Sequence, residues 1–416
     1  MLKSIFQRKI LWALFGVAGP ALVAFAASPI LARGLGPAAR GQFAASIAVL
    51  GLAAFLADLG LSNGLMVAAA RSGAVNPQVF GLAIWTYLGS ATATAMCLVI
   101  LRELDIAHFS WWIILGIPVI LTGNLLRAPI TASGNTMILA IERWAQSVSR
   151  LAFLAVFAFA GLLTHDLATF AHIASLAVCL LVPAFGWRGI KKNHEELDFN
   201  LRRFGLATWS VGLSSVVLVR LDQLVLLPVA GARQLGIYAV AAGLGEVPLL
   251  ISAALRMTYE GRIAGSRSAR PMALPLFGAL ALGVLITSIS VVAGPWIVSL
   301  LYGDSFKTAA PIFTILLAAS VPAMVVDMCG SSLIALGRPG AQWRAATLAA
   351  IVTLILLYPL AHRYGALGAA YVTLISYVVA AGACFFELCR HEPKWWLARR
   401  EESSGGEVRC SVPENV

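Results

Sequence analysis

The chain has 416 residues, of which 60% are hydrophobic and only 12% charged; its mean hydropathy is +0.86. Soluble domains carry about 25% charged residues, so this composition excludes an ordinary globular protein and indicates a polytopic membrane protein. The formal net charge of +11 comes from basic residues scattered between apolar runs, without a basic domain, which argues against a nucleic-acid partner.

Twelve apolar runs are long enough to cross about 30 Å of hydrocarbon. In order they cover residues 10–32, 42–70, 79–101, 111–129, 148–163 and 167–187, then 204–230, 235–258, 272–301, 309–336, 345–361 and 366–388. Ala24-Phe25-Ala26 resembles a signal-peptidase site, but its run exceeds a signal core of about 7 to 15 residues and reads as the first span. The polar loop 188–203 separates six spans from six. The expected division is therefore an N-terminal lobe (1–203), a C-terminal lobe (204–390) and a disordered cytoplasmic tail (391–416).

Assigning alternate loops to alternate faces puts 23 basic residues on one side and six on the other, Arg33 and Arg40 among the six. Cytoplasmic loops retain Lys and Arg, so both termini are expected in the cytoplasm. In this scheme Arg40 belongs to an outer turn and Arg150 to an inner loop.

The segment from Arg40 to Leu61 is similar to that from Leu235 to Leu255, with Gly41 matching Gly236, Phe43 Tyr238 and Ala44 Ala239. The repeat falls on the second span of each half, and both halves start from the same face. It is therefore a parallel repeat, with a central cavity between two six-helix lobes. Pro and Gly within spans, such as Pro248 and Pro322, mark kinks that are either static or used when lobes move.

Ionisable residues inside spans are costly and usually face protein or water. Arg220 and Asp222 share one span but lie about 200° apart on a helix, so each needs a partner elsewhere. Counting depth from the intervening turn puts Arg220 level with Glu246, either as a structural ion pair or as a substrate or gating group. Asp58, in the second span, either faces Arg220 across the cavity or makes a packing hydrogen bond near Gly60. Asn124 and Arg127 share a helix face and complete the expected substrate-binding set, Arg127 with the alternative of snorkelling to the cytoplasmic surface. Asp222 either gates or holds Arg233, and Asp327 is an expected coupling residue.

No catalytic or metal site is expected. The six cysteines contain no CxxC pair, the six histidines no HExxH, and no GxxxxGK[ST] loop occurs. No cofactor is implied, and without a large extracytoplasmic loop the chain does not read as an enzyme.

The segments LARGLGPAARGQFAASIAVLGLAAFLADLGLSNG, VRLDQLVLLPVAGARQLGIYAVAAGLGEVP, LLYGDSFKTAAPIFTILLAAS and RYGALGAAYVTLISY resemble, in this order, the bacterial polysaccharide-export flippases of the multidrug/oligosaccharidyl-lipid/polysaccharide superfamily. The resemblance spans about residues 10–388. It implies an inner-membrane flippase that moves undecaprenyl-pyrophosphate-linked oligosaccharides outward by alternating access, for exopolysaccharide, capsule or O-antigen synthesis. It also implies contacts with membrane lipids and a polysaccharide polymerase complex. Relatives that flip the peptidoglycan precursor have two further spans, which this chain lacks. An ion-coupled multidrug antiporter of the same superfamily is the alternative; an acidic cavity favours that reading, and a cationic one favours the flippase.

Overall fold

The computed structural model describes residues 2–104, 109–187, 201–266, 268–393 and 395–396. Its elements are all helical: α1 (Leu2–Asp58), α2 (Leu61–Ser72), α3 (Pro77–Glu103), α4 (Trp112–Ala132), α5 (Thr136–Phe159), α6 (His165–Cys179), α7 (Leu181–Gly186), α8 (Leu201–Gly245), α9 (Leu249–Ser266), α10 (Arg270–Tyr302), α11 (Ala309–Ala335), α12 (Pro339–Tyr364) and α13 (Ala366–His391). Among the described residues no strand is present.

Two of these helices are bent rods. α1 breaks at Gly36 (φ 72°, ψ 174°) and α8 at Gly231 (φ 84°, ψ 166°). That backbone conformation is open to glycine and strained for any other residue. Each break divides its helix into two limbs. With α2, α7 and α9 continuing the rods before them, the described residues make twelve rods in two halves, as the apolar runs predict. Nine helical stretches among the described residues are long and apolar enough to cross a membrane. α5 is not one of them, because Glu142, Arg143 and Arg150 interrupt its apolar run.

Local signals set several boundaries. Asn76 accepts from the backbone N–H of Gln78 (2.9 Å) just before Pro77, and Thr164 accepts from that of Leu167 (3.2 Å). These are side-chain caps for α3 and α6. Asn135 caps α5 in the same way, at 3.3 Å from Ile138 N. α5 therefore starts at Thr136, twelve residues before the predicted 148, since polar residues conceal its first turns. α12 likewise starts at Pro339 rather than 345.

Three apolar cores lie within one half each, and the fourth, around Tyr238, also takes in Ala32, Ala44 and Ala45 of α1. One N-terminal core gathers Leu50, Ile113, Ile117 and Leu121, and a second gathers Leu31, Leu154 and Ala171. The C-terminal half packs Tyr238, Val298, Phe306 and Phe313 in one core, and Met324, Met328, Leu333 and Leu388 in another. Large apolar side chains such as Trp85 (74% exposed) and Val292 (84%) point outward. In hydrocarbon that exposure carries no penalty.

The segment after α13 is not wholly a free tail. Glu392 accepts from the backbone N–H of Ala269 (2.7 Å) and from the Ser268 hydroxyl, capping the start of α10. Trp395 is fully buried in the core around Met328. The expected tail disorder therefore stops short of these residues, and residues 397–416 lie outside the described ones.

Candidate functional site

The two bent rods build the site. At each kink the limbs turn back, so residues 21–31 and 40–47 of α1 line one cavity together with residues 220–223 and 239–243 of α8 and with Glu246 and Val247 just beyond it. The kinks meet where Gly41 faces Gly236. A Cβ on Gly41 would overlap the carbonyl of Ala232, and one on Gly236 would overlap that of Pro37. The sequence repeat thus appears in space as two glycines, each five residues past its kink, in backbone contact, closing the kink end of the cavity.

At the opposite end, the second limb of α1 packs on the first limb of α8. The carbonyl of Gly205 occupies the place a Gly60 side chain would take, Phe55 and Trp209 stack at 6.0 Å, and Trp209 Nε1 donates to the Phe55 carbonyl at 3.1 Å. On the other flank, the first limb of α1 faces the second limb of α8 across the cavity. Leu22 (67% exposed) and Val247 (42%) line it there, marking its mouth.

The cavity has a volume of about 490 Å³. Among the described residues its charged lining is three arginines and one acid: Arg40 from α1, Arg150 from α5, Arg220 from α8 and Glu246 just beyond the end of α8. His172, Gln223 and Tyr302 add polar groups. The guanidinium of Arg40 lies 5.3 Å from the Phe43 ring centre. Arg40 Nε and His172 Nδ1 are buried without a protein hydrogen-bond partner. A buried donor or acceptor left unpaired costs about 1–3 kcal/mol. Such atoms in a cavity wall suit an oxygen-rich ligand.

Glu246 sits in a three-residue break between α8 and α9, where Pro248 lacks an N–H for the helical ladder. It lies fifteen residues beyond Gly231 and Arg220 eleven before it. At 1.5 Å per residue that is a depth difference of about 6 Å. The two share the cavity wall and their charges act on each other, yet among the described residues no ion pair joins them. The expected level pairing is therefore not what the structure contains.

The other expected site residues lie within one half. Asp58 is buried and accepts from Tyr87 OH (2.5 Å), Ser62 Oγ (2.8 Å) and Asn124 Nδ2 (3.4 Å). It does not line the cavity, and neither does Asn124. At the offset that matches Gly41 with Gly236, Glu246 corresponds to Gly51 and Asp58 to Ala253. Asp58 is thus two helical turns too deep to be the repeat partner of Glu246. Arg127 forms a 2.5 Å ion pair with the buried Glu142, rather than reaching the surface. Asp222 accepts from Tyr238 OH and from the Gln223 N–H (2.7 Å), and Tyr238 OH lies 3.2 Å from Thr373 Oγ1; the expected Arg233 partner is replaced by a tyrosine. Asp327 pairs with Arg256 at 3.4 Å, bridging α11 and α9.

Sequence reasoning missed Arg40, Arg150 and His172. Arg40 and Arg150 were assigned to opposite membrane faces, yet both point into the same cavity. The signal available was the capped start of α5 at Asn135, which carries Arg150 fourteen residues into a helix.

A family model described as polysaccharide biosynthesis protein matches residues 6–258. No curated protein sequence matches the chain. Among solved structures, the chain is similar to the lipid II flippase MurJ in an inward closed conformation, with a TM-score of 0.72 and 14% identity over 91% of this chain and 87% of that one. It is also similar to an inward-facing multidrug-resistance MATE transporter of the MOP superfamily (TM-score 0.64, 15% identity, 91% and 98%). The Vibrio cholerae MATE transporter VcmN in its bent form gives a TM-score of 0.60 at 19% identity, over 95% and 98%. These likenesses establish a two-lobe, all-helical membrane fold. The family model covers well over half of the chain, which therefore belongs to the polysaccharide biosynthesis protein family.

Proposed function

We propose that the protein is a flippase for lipid-linked oligosaccharides, carrying an undecaprenyl-diphosphate sugar from the cytoplasmic to the outer leaflet of a bacterial inner membrane by alternating access. The observation that carries this reading is the charge of the cavity: among the described residues, Arg40, Arg150 and Arg220 against the one acid Glu246. Guanidinium groups stay charged and bind oxyanions through a planar fork, as a diphosphate requires. His172 and Gln223 supply hydrogen-bonding groups for sugar hydroxyls, and the mouth beside Leu22 and Val247 leaves an apolar edge for the prenyl tail. A flippase breaks no bond, so the chain acts as a transporter rather than an enzyme. Both termini are placed in the cytoplasm on the distribution of basic residues, and a polysaccharide polymerase is the expected consumer of the flipped lipid.

The rival reading, an ion-coupled multidrug antiporter, draws on the MATE-like neighbours. It needs a cavity attractive to organic cations, and three arginines repel them.

The test is translocation of a fluorescent undecaprenyl-diphosphate sugar in proteoliposomes. Arg220→Ala is expected to lower the rate at least tenfold with the fold intact, and an Arg220/Glu246 charge exchange is expected not to restore it. Proton-driven efflux of organic cations, with no lipid flipped, replaces the flippase by the antiporter.

A further inference from the structure

The kink end of the cavity is closed by contacts between the two halves, and one of them is a helix cap supplied from the opposite lobe. Arg33, near the end of the first limb of α1, donates from Nε to the Leu301 carbonyl (2.9 Å) and from Nη2 to the Leu300 carbonyl (2.5 Å). These carbonyls belong to the last turn of α10, where a helix has no internal donors left for its C=O groups. Gly303 (φ 86°) then turns the chain aside, and its own N–H goes to Ser299. Leu300 and Leu301 are thus left to Arg33. A cation also suits the negative end of the helix dipole.

Alongside it, Tyr302 OH lies 3.2 Å from Ser28 Oγ, a second bond between α10 and α1. Tyr302 also lines the cavity near Arg40. Separation of the lobes at this end breaks both bonds and strips the cap from α10.

We propose that Arg33 is a positioning residue that latches the kink end shut, setting how often the cavity opens there. The role in a transport cycle rests on the flippase reading. The latch itself does not, because it is read without any substrate. Two fork hydrogen bonds onto one helix end give a contact that breaks as a unit. The latch therefore holds one state or releases it, with no intermediate grip.

The experiment places a cysteine at the cavity-lining Ala242 of the full chain and follows its reaction with a membrane-impermeant maleimide. Spheroplasts expose one face and inverted vesicles the other, and the signal of the same protein without the added cysteine is subtracted. With Arg33 in place, labelling is expected from the mouth side alone. Arg33→Ala is expected to raise labelling from the kink-end side at least tenfold, a population shift of about 1.4 kcal/mol, and Arg33→Lys to give a smaller rise. Tyr302→Phe, added to Arg33→Ala, is expected to raise it further. Should Arg33→Ala fold poorly, Arg33→Gln takes its place, retaining a single amide donor. A well-folded Arg33 variant labelled from the kink-end side no faster than its parent overturns the latch. If the latch holds while lipid is not flipped, the flippase reading fails alone.

Discussion

Arg40 and Asp58 both lie on the second limb of α1, both are shielded from bulk water, and they are treated in opposite ways. Asp58 takes three hydrogen bonds from its own lobe, while Arg40 keeps Nε unpaired in a cavity between lobes. The same contrast divides the other charges. Arg127, Asp222 and Asp327 are each satisfied inside one half, whereas Arg220 and Glu246 share a cavity without pairing. A buried charge that its own lobe satisfies serves as glue. One that no neighbour satisfies is held ready for something that arrives.

The largest effect is expected where that readiness is removed. Arg40→Ala, measured with farnesyl diphosphate as a short-tailed probe in detergent, should weaken binding about 100-fold, equivalent to two charge-assisted hydrogen bonds. His172→Ala should weaken it about tenfold and His172→Gln less, since an amide restores a hydrogen-bonding group. Unchanged affinity in a folded Arg40 variant would merge the two classes of charge and sink the distinction.

Arg127→Ala should leave binding of the same probe intact and lower stability. Breaking a buried ion pair costs about 3–5 kcal/mol, and the 33% exposure of Arg127 places the expected loss near the lower figure. Thermal unfolding in detergent reads it, and a loss of probe affinity at unchanged Tm would move Arg127 into the ligand-binding class. The smallest effect belongs to Asp58→Asn. It keeps the shape and most acceptors of the cluster, so a destabilisation of about 1 kcal/mol is expected, with flipping preserved. If flipping stops while stability holds, Asp58 has a role in transport that its enclosed position does not suggest.

The rods were legible in the sequence because hydrocarbon imposes one requirement, a long apolar run, on each of them. The match of Gly41 with Gly236 was also legible, since close backbone contact demands glycine at both positions. Glu246 and Arg220 could be placed near a cavity because a charge inside a span has few other destinations. What could not be read was lateral direction. Arg40 lies four residues from a turn and Arg150 follows the polar stretch from Glu142 to Ser149, so charge counting assigns them to loops, and only the cap at Asn135 hints that α5 extends far enough to lift Arg150 into the membrane. For Asp58 the packing reading is the one the structure contains and the cavity-facing one is not, and nothing in one stretch of sequence reveals that Tyr87 and Asn124, from two other helices, converge on it.

The contact between Gly41 and Gly236 has a consequence for leakage. Because backbone meets backbone there, this contact, unlike the Arg33 and Tyr302 bonds beside it, has no side chain that could act as a swinging door. Rotamer changes, which take picoseconds to nanoseconds, therefore do not part it. Only the movement of whole helices does, on the microsecond-to-millisecond scale. A membrane carrying this protein should thus retain its ion gradients while the cavity fills and empties from the other side.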